Sequence, residues 1–179
     1  MQDRQAVHDE LERVRADFHR LLADADAADL ARATSGTRWS NEELLFHMLF
    51  GYLVVRALLP LVRLFARLPD GVSRAYARLL DAATRPFDVV NYLGAVGGSR
   101  VCNHARMGAR LDRTLDALHR RLDRESEASL AGRMYFPTRW DPFFHSVMTI
   151  ADVYRYPARH YAFHRDQLTL PGVGPRAAR

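Results

Sequence analysis

The sequence predicts an all-α protein, a four-helix bundle with an additional helix and a loop insertion laid over one end. Three observations carry this. Apolar residues recur at steps of three and four in several long segments, two of those segments open with capping-box spacings, and no stretch alternates apolar and polar residues as a half-buried strand would. At 179 residues the chain can bury one sizeable core. A single domain over residues 1–170 is therefore expected, with the insertion at about 68–98 and a disordered tail at 171–179.

The first helix is expected from about Asp3 to Ala25, where Val7, Leu11, Val14, Phe18, Leu21 and Leu22 share one face. Ala27 to Arg38, with Thr34, Ser35, Gly36 and Thr37, reads as a connection. Ser40-Asn41-Glu42-Glu43 then spells a capping box, in which the serine accepts from the amide three residues on and the glutamate reaches back. A second helix starts there and passes Leu44, Leu45, Met48, Leu49 and Arg56, with Pro60 expected to kink or end it. Leu68-Pro69-Asp70-Gly71 is a turn signal, and a shorter helix follows from about Val72 to Ala83.

Arg85 to Arg100 holds Pro86, Gly94, Gly97 and Gly98, which reads as a packed loop. A third helix is expected from about Ser99 to Arg124, with Leu111, Leu115, Leu118 and Leu122 on one face. The aromatic stretch Leu130 to Ser146 reads as a loop whose Tyr135 to Phe144 run forms core or pocket wall. Thr149 and Asp152 repeat the capping spacing and open a fourth helix to about Leu170. Pro157 predicts a kink or a later start.

Composition narrows the function. Apolar residues make up 48% and charged residues 26%, which excludes a mainly disordered chain. All 26 basic residues are arginine, against 21 acidic residues, and they are spread beside acidic partners. No concentrated basic patch results, so nucleic acid is not an expected partner. Cys102 is the only cysteine, so no intrachain disulfide forms and a reducing cytoplasm is the expected location. Met1 to Arg15 lacks the apolar core of a secretory signal. The greasiest stretch, Leu44 to Val55, contains His47 and is followed by Arg56 and Arg63, whereas a bilayer span needs about 20 apolar residues. A buried helix is the better reading, and no membrane association is expected.

Eight histidines occur. His160 and His164 lie four apart on a helix, where Cβ atoms are about 5–6 Å apart, so both imidazoles can reach one metal ion. His47 sits among Leu44, Leu45, Phe46, Met48 and Leu49, and by itself reads equally as a buried core histidine. Gln167 follows His164 by three on a similar face and is a candidate to hold a ligand in place. Cys102 and His104 open the third helix and face either cavity or core; Gly94 to Arg100 reads as a hinge, with an anion cradle as the lesser reading. His8, His19 and His119 sit among charges and read as solvated, and His145 as a loop residue.

Two stretches, Trp39-Ser40-Asn41-Glu42-Glu43-Leu44-Leu45-Phe46-His47 and His160-Tyr161-Ala162-Phe163-His164-Arg165-Asp166-Gln167-Leu168, resemble the DinB-like (YfiT-like) superfamily. That family is a metal-binding four-helix bundle related to mycothiol-dependent maleylpyruvate isomerase and to mycothiol- and bacillithiol-using S-transferases. The resemblance implies His47, His160 and His164 as ligands of a divalent ion, zinc or nickel, and a small-molecule substrate used with a low-molecular-weight thiol. Three imidazoles leave such an ion an open position, which suits activation of a thiol for S-transfer or thiol-assisted isomerisation. The rival expectations are a metal-containing binding protein without turnover, using the apolar segment Phe65 to Tyr92 for a ligand or a second subunit in a homodimer, and a metal-water hydrolase.

Overall fold

The computed structural model describes residues 2–173, with side chains from Arg4 onward. Its elements are α1 (Gln2–Asp24), α2 (Ala27–Ala31), α3 (Asn41–Phe65), α4 (Asp70–Ala82), α5 (Thr84–Val101), α6 (His104–Asp123), α7 (Glu127–Leu130), β1 (Arg133–Tyr135), β2 (Val147–Thr149) and α8 (Ile150–Arg165). The fold is all-α, with one small two-stranded sheet among the described residues.

Four long helices each bury one apolar stripe, as their spacing dictates. Val7, Leu11, Val14, Phe18 and Leu21 of α1 meet Leu111, Leu115, Leu118 and Leu122 of α6, Leu45, Leu49 and Tyr52 of α3 and Val153 and Tyr154 of α8 in one continuous cluster. Helix α1 packs on α6 and α8, and α3 packs on the same two, so α1 and α3 occupy opposite corners. Helix α3 is apolar enough by length and composition to cross a membrane, yet more than half of that apolar window lies inside the protein. Its mean hydropathy comes from being covered on several sides.

The caps form as the spacing predicts. Ser40 accepts from the Glu43 amide while Glu43 reaches the Ser40 amide, and Thr149 and Asp152 do the same for α8. The later start at Pro157 therefore does not occur; α8 begins at its cap and continues through the proline. Helix α3 likewise continues through Pro60 to Phe65. A proline has no amide to bond the carbonyl four residues back, and the Arg121 guanidinium of α6 donates to that carbonyl, Arg56 O, in its place.

Arg85 to Arg100 is helix, not loop, which corrects the expected loop insertion to a second helix. Pro86 falls in the first turn of α5, where amides have no intrahelical partner. Gly98 serves a close approach: a Cβ there would collide with the Phe46 ring on α3. The third long helix starts at His104, because the chain breaks at Cys102–Asn103 between α5 and α6. Within the connection expected at 27–38, Asp26 and Asp29 form a capping box for α2. Strands β1 and β2 close the aromatic loop at its base by pairing antiparallel, with buried Met134 opposite Met148. Of the expected tail, Pro171–Val173 turn back so that the Val173 amide bonds Leu170 O, and residues 174–179 lie outside the described residues.

Substituting Arg121→Ala strands the Arg56 carbonyl and is expected to cost about 1–2 kcal/mol in urea unfolding. In a Pro60→Ala background, which restores the amide, the cost should fall to near zero; an unchanged cost would dissociate the arginine from the proline.

Asp17 of α1 accepts from Tyr161 at 2.8 Å and from Arg165 at 2.7 and 3.2 Å, clamping α8 to α1. Burial pushes its carboxyl pKa up, but the hydrogen bonds from Arg165, Arg20 and Tyr161 outweigh it and hold the pKa below the usual range. A lowered folded-state pKa contributes stability that is present above the unfolded value of about 3.9 and lost as pH falls through the folded one. Asp17→Asn should therefore destabilise by about 1–3 kcal/mol at neutral pH. That difference should shrink as pH drops below about 4, checked by denaturant unfolding across pH.

Candidate metal centre

His47 lies on α3 about two turns past its cap, and His160 and His164 lie one turn apart on α8. Because α3 and α8 pack together, the three rings converge, with centroids 4.8, 4.7 and 4.4 Å apart. One nitrogen from each lies within 4.8 Å of the others, and the Nε2 atoms of His47 and His160 are 3.1 Å apart. His47 and His160 are buried, and His164 is half-buried. Gly51, one turn after His47, makes the crossing possible, since a Cβ there would stand 3.2 Å from His160 Nδ1.

All three imidazoles are held neutral. Burial lowers His47 to about 3, with His164 adding to it, and burial followed by His47 and His164 lowers His160 well below its ordinary value. Burial also lowers His164, against the opposing Gln167 hydrogen bond and the Asp141 charge. Neutral imidazole is the ligand form.

The residues fit a divalent ion. The Nε2 atoms of His47 and His160 face each other at 3.1 Å on two neutral rings, and a nitrogen of His164 lies within 4.8 Å of both. Three neutral imidazole nitrogens so placed are a donor set that suits a divalent ion such as zinc or nickel. Gln167 Oε1 accepts from His164 Nδ1 at 2.7 Å, which turns the Nε2 lone pair toward the other rings. The Gln167 backbone is itself pinned, its carbonyl accepting from the Ser35 amide at 2.8 Å. Trp39 stacks on His47 at 4.5 Å and covers it.

Asp141 is a site residue that sequence reasoning missed. Its Oδ2 lies 3.8 Å from His160 Nε2 and accepts from the Tyr156 hydroxyl at 2.7 Å, while Oδ1 accepts from the Phe143 amide at 2.8 Å. Burial, working against those hydrogen bonds and the His164 charge, raises its pKa. Only its place in a Trp-Asp-Pro turn marked it in the sequence, and nothing local ties that turn to α8.

Two cavities flank the centre. One, of about 310 Å³, reaches His47, His160 and Asp141 and is otherwise walled mainly by apolar side chains of α3, α4, α5 and the aromatic loop. The expected pocket-wall role of that loop is met by Phe136, Pro137, Trp140 and Phe144. The other, of about 350 Å³, reaches His164 and Gln167 and is lined by Thr37, Arg38, Asp88 and Asn91 among others.

The remaining candidates fall elsewhere. Cys102 lines neither cavity, and burial raises its thiol pKa despite Arg110, Arg106 and Arg113. His104 is exposed and caps against Glu42, whose Oε1 accepts its amide at 2.9 Å. The Gly94 to Arg100 cradle does not exist, because the segment is inside α5. His145 is an exposed loop residue. His8 and His119 are not merely solvated. Their Nδ1 atoms meet at 2.5 Å across α1 and α6, and their Nε2 atoms reach Asp123 at 3.0 Å and Glu12 at 2.7 Å. His19 meets Asp112 at 2.9 Å.

Metal analysis should find about one divalent ion bound at this centre. His47→Ala, His160→Ala and His164→Ala are each expected to lower its occupancy sharply, His145→Ala to leave it unchanged, and Gln167→Ala to weaken affinity about 10- to 100-fold. Chelation should lower the melting temperature of the wild type and not of the triad variants.

A sequence model of the DinB superfamily matches residues 10–168, from within α1 to just past α8, and takes in all three histidines and Gln167. No curated protein and no solved structure matches the chain. Fold and histidine cluster together fit a metal-dependent function. The chain belongs to the DinB superfamily.

Proposed function

We propose that this chain is a metal-dependent enzyme whose three-histidine centre activates a low-molecular-weight thiol, of the mycothiol type, for S-transfer or thiol-assisted isomerisation in the cytoplasm. The observation that carries the proposal is the convergence of three neutral imidazoles, two buried and one half-buried, between a strongly apolar cavity and a more polar one. When bound, zinc or nickel supplies a Lewis acid that makes a thiol far more acidic than its free pKa of about 8.5.

The chain's own residues do the rest. His47, His160 and His164 hold the ion, and Gln167 fixes the His164 tautomer. Arg38, Asp88 and Asn91 offer charge and hydrogen bonds to a polar cosubstrate entering beside His164. The Phe143 amide and the Tyr156 hydroxyl orient the Asp141 carboxylate beside His160, facing the apolar cavity. Apolar walls exclude water there, which strengthens every polar contact made at the centre. Cys102 lines neither cavity, so the reacting sulfur is assigned to the cosubstrate.

Cobalt-substituted protein provides the test. Mycothiol should induce a sulfur-to-cobalt charge-transfer band, His164→Ala should abolish it, and Cys102→Ser should retain it. If mycothiol, bacillithiol, glutathione and cysteine all leave a loaded cobalt site unperturbed, the thiol reading fails. Hydrolysis or ligand binding without turnover then takes its place.

A further inference from the structure

The wall that α3 gives to the apolar cavity has a direction. His47, Gly51, Val54, Leu58 and Leu61 line it at steps of four, three, four and three, a single face of the helix. At 1.5 Å per residue that face extends about 20 Å from the metal centre. Polar groups gather at the near end, where His47, His160, Asp141 and Tyr156 stand together. Farther along α3 the wall continues as Leu58, Leu61 and Val62, and Leu80 of α4 and the paired methionines Met134 and Met148 add to the apolar lining. The cavity is therefore an elongated apolar channel with a polar head at the histidines, and its volume of about 310 Å³ is that of a small-molecule site.

We infer that the second substrate of the centre is an elongated molecule with an apolar body and a single polar reacting head. The head lies at His47, His160 and Asp141, and the body runs along α3 toward Leu58 and Leu61. Short, highly charged acids are excluded as substrates on this side, because among the described residues no cationic side chain lines the channel to meet a second charge: Arg38 lines the other cavity. The inference rests on the metal reading for the head group alone; the channel stands on its lining.

Two homologous series test it on the cobalt-loaded protein. Straight-chain hydroxamates, from acetohydroxamate to decanohydroxamate, read head and body together through the cobalt spectrum. Straight-chain primary alcohols of matching length read the body alone by calorimetry. Both series should gain about fourfold in affinity per added methylene until the channel is full, the value of one buried methylene. Val54→Phe and Leu58→Arg block the channel at successive points. The gain should stop at shorter chains for Val54→Phe than for Leu58→Arg, which is half-exposed at 46% and suited to a charge without unfolding.

Affinities that stay flat with chain length in both series overturn the channel, as does a break at the same length in both variants. A cobalt spectrum that responds to acetohydroxamate but shows no length dependence leaves the metal reading standing while the channel falls. Alcohols that gain with length while acetohydroxamate leaves the spectrum unchanged support the channel and overturn the open metal position.

Discussion

The packing of α3 against α8 is the constraint on which everything else in the molecule depends. Two histidines on α8 meet the third on α3 only at one relative height of the two helices, because a shift by a single turn, about 5.4 Å, would carry His160 past His47. That height is set from several directions. The Thr149–Asp152 cap fixes where α8 begins, Asp17 holds Tyr161 and Arg165 near its end, and Gly51 leaves the hollow into which the His160 ring fits. Buried Asn41 adds a fourth restraint, bonding the Asp29 carbonyl and both the hydroxyl and the amide of Thr169, so the start of α3 is tied to the chain just beyond α8.

Holding polar groups in this seam is expensive, and the surrounding structure shows how the expense is met. Some buried polar groups find partners within the chain: Glu125 takes the Arg63 guanidinium, the Ser129 hydroxyl at 2.5 Å and the Tyr154 hydroxyl at 3.3 Å, joining α3, α7 and α8 around one carboxylate. Pro60 is similarly compensated by Arg121. At the centre the Nε2 atoms of His47 and His160 instead face each other at 3.1 Å on neutral rings, with a nitrogen of His164 within 4.8 Å. That donor set is one a divalent ion completes.

Periodicity and caps made most of the bundle readable, since a stripe such as Val7, Leu11, Val14 and Phe18 or a box such as Ser40 and Glu43 is written in adjacent residues. The histidine pair was readable for the same reason, because its geometry is internal to one helix. What failed was non-local. The glycines of α5 imitate a loop until the Phe46 ring beneath Gly98 is known, and strands of three residues are too short for alternation to show. Asp141 gains its meaning only from the α8 groups that the aromatic loop folds onto. His8 and His119 look solvated beside their charged neighbours, yet those neighbours, Glu12 and Asp123, are their partners across the α1–α6 seam.

Helices α4 and α5, the first as expected from the sequence and the second expected as a loop, matter most for what reaches the centre. The bundle alone supplies the imidazoles and Gln167, all of them on α3 and at the end of α8. Helix α5 supplies Phe87 to the apolar cavity, Asp88 and Tyr92 to the polar one, and Asn91 to both. One element therefore divides the space around the histidines into two compartments, and Gly98 lets it lie close enough to α3 to do so. On the function proposed above, the ligand geometry rests on the α3–α8 seam, while α4 and α5 contribute walls that the seam does not need, so changes in those two helices would alter the occupant of either compartment before they altered the histidines.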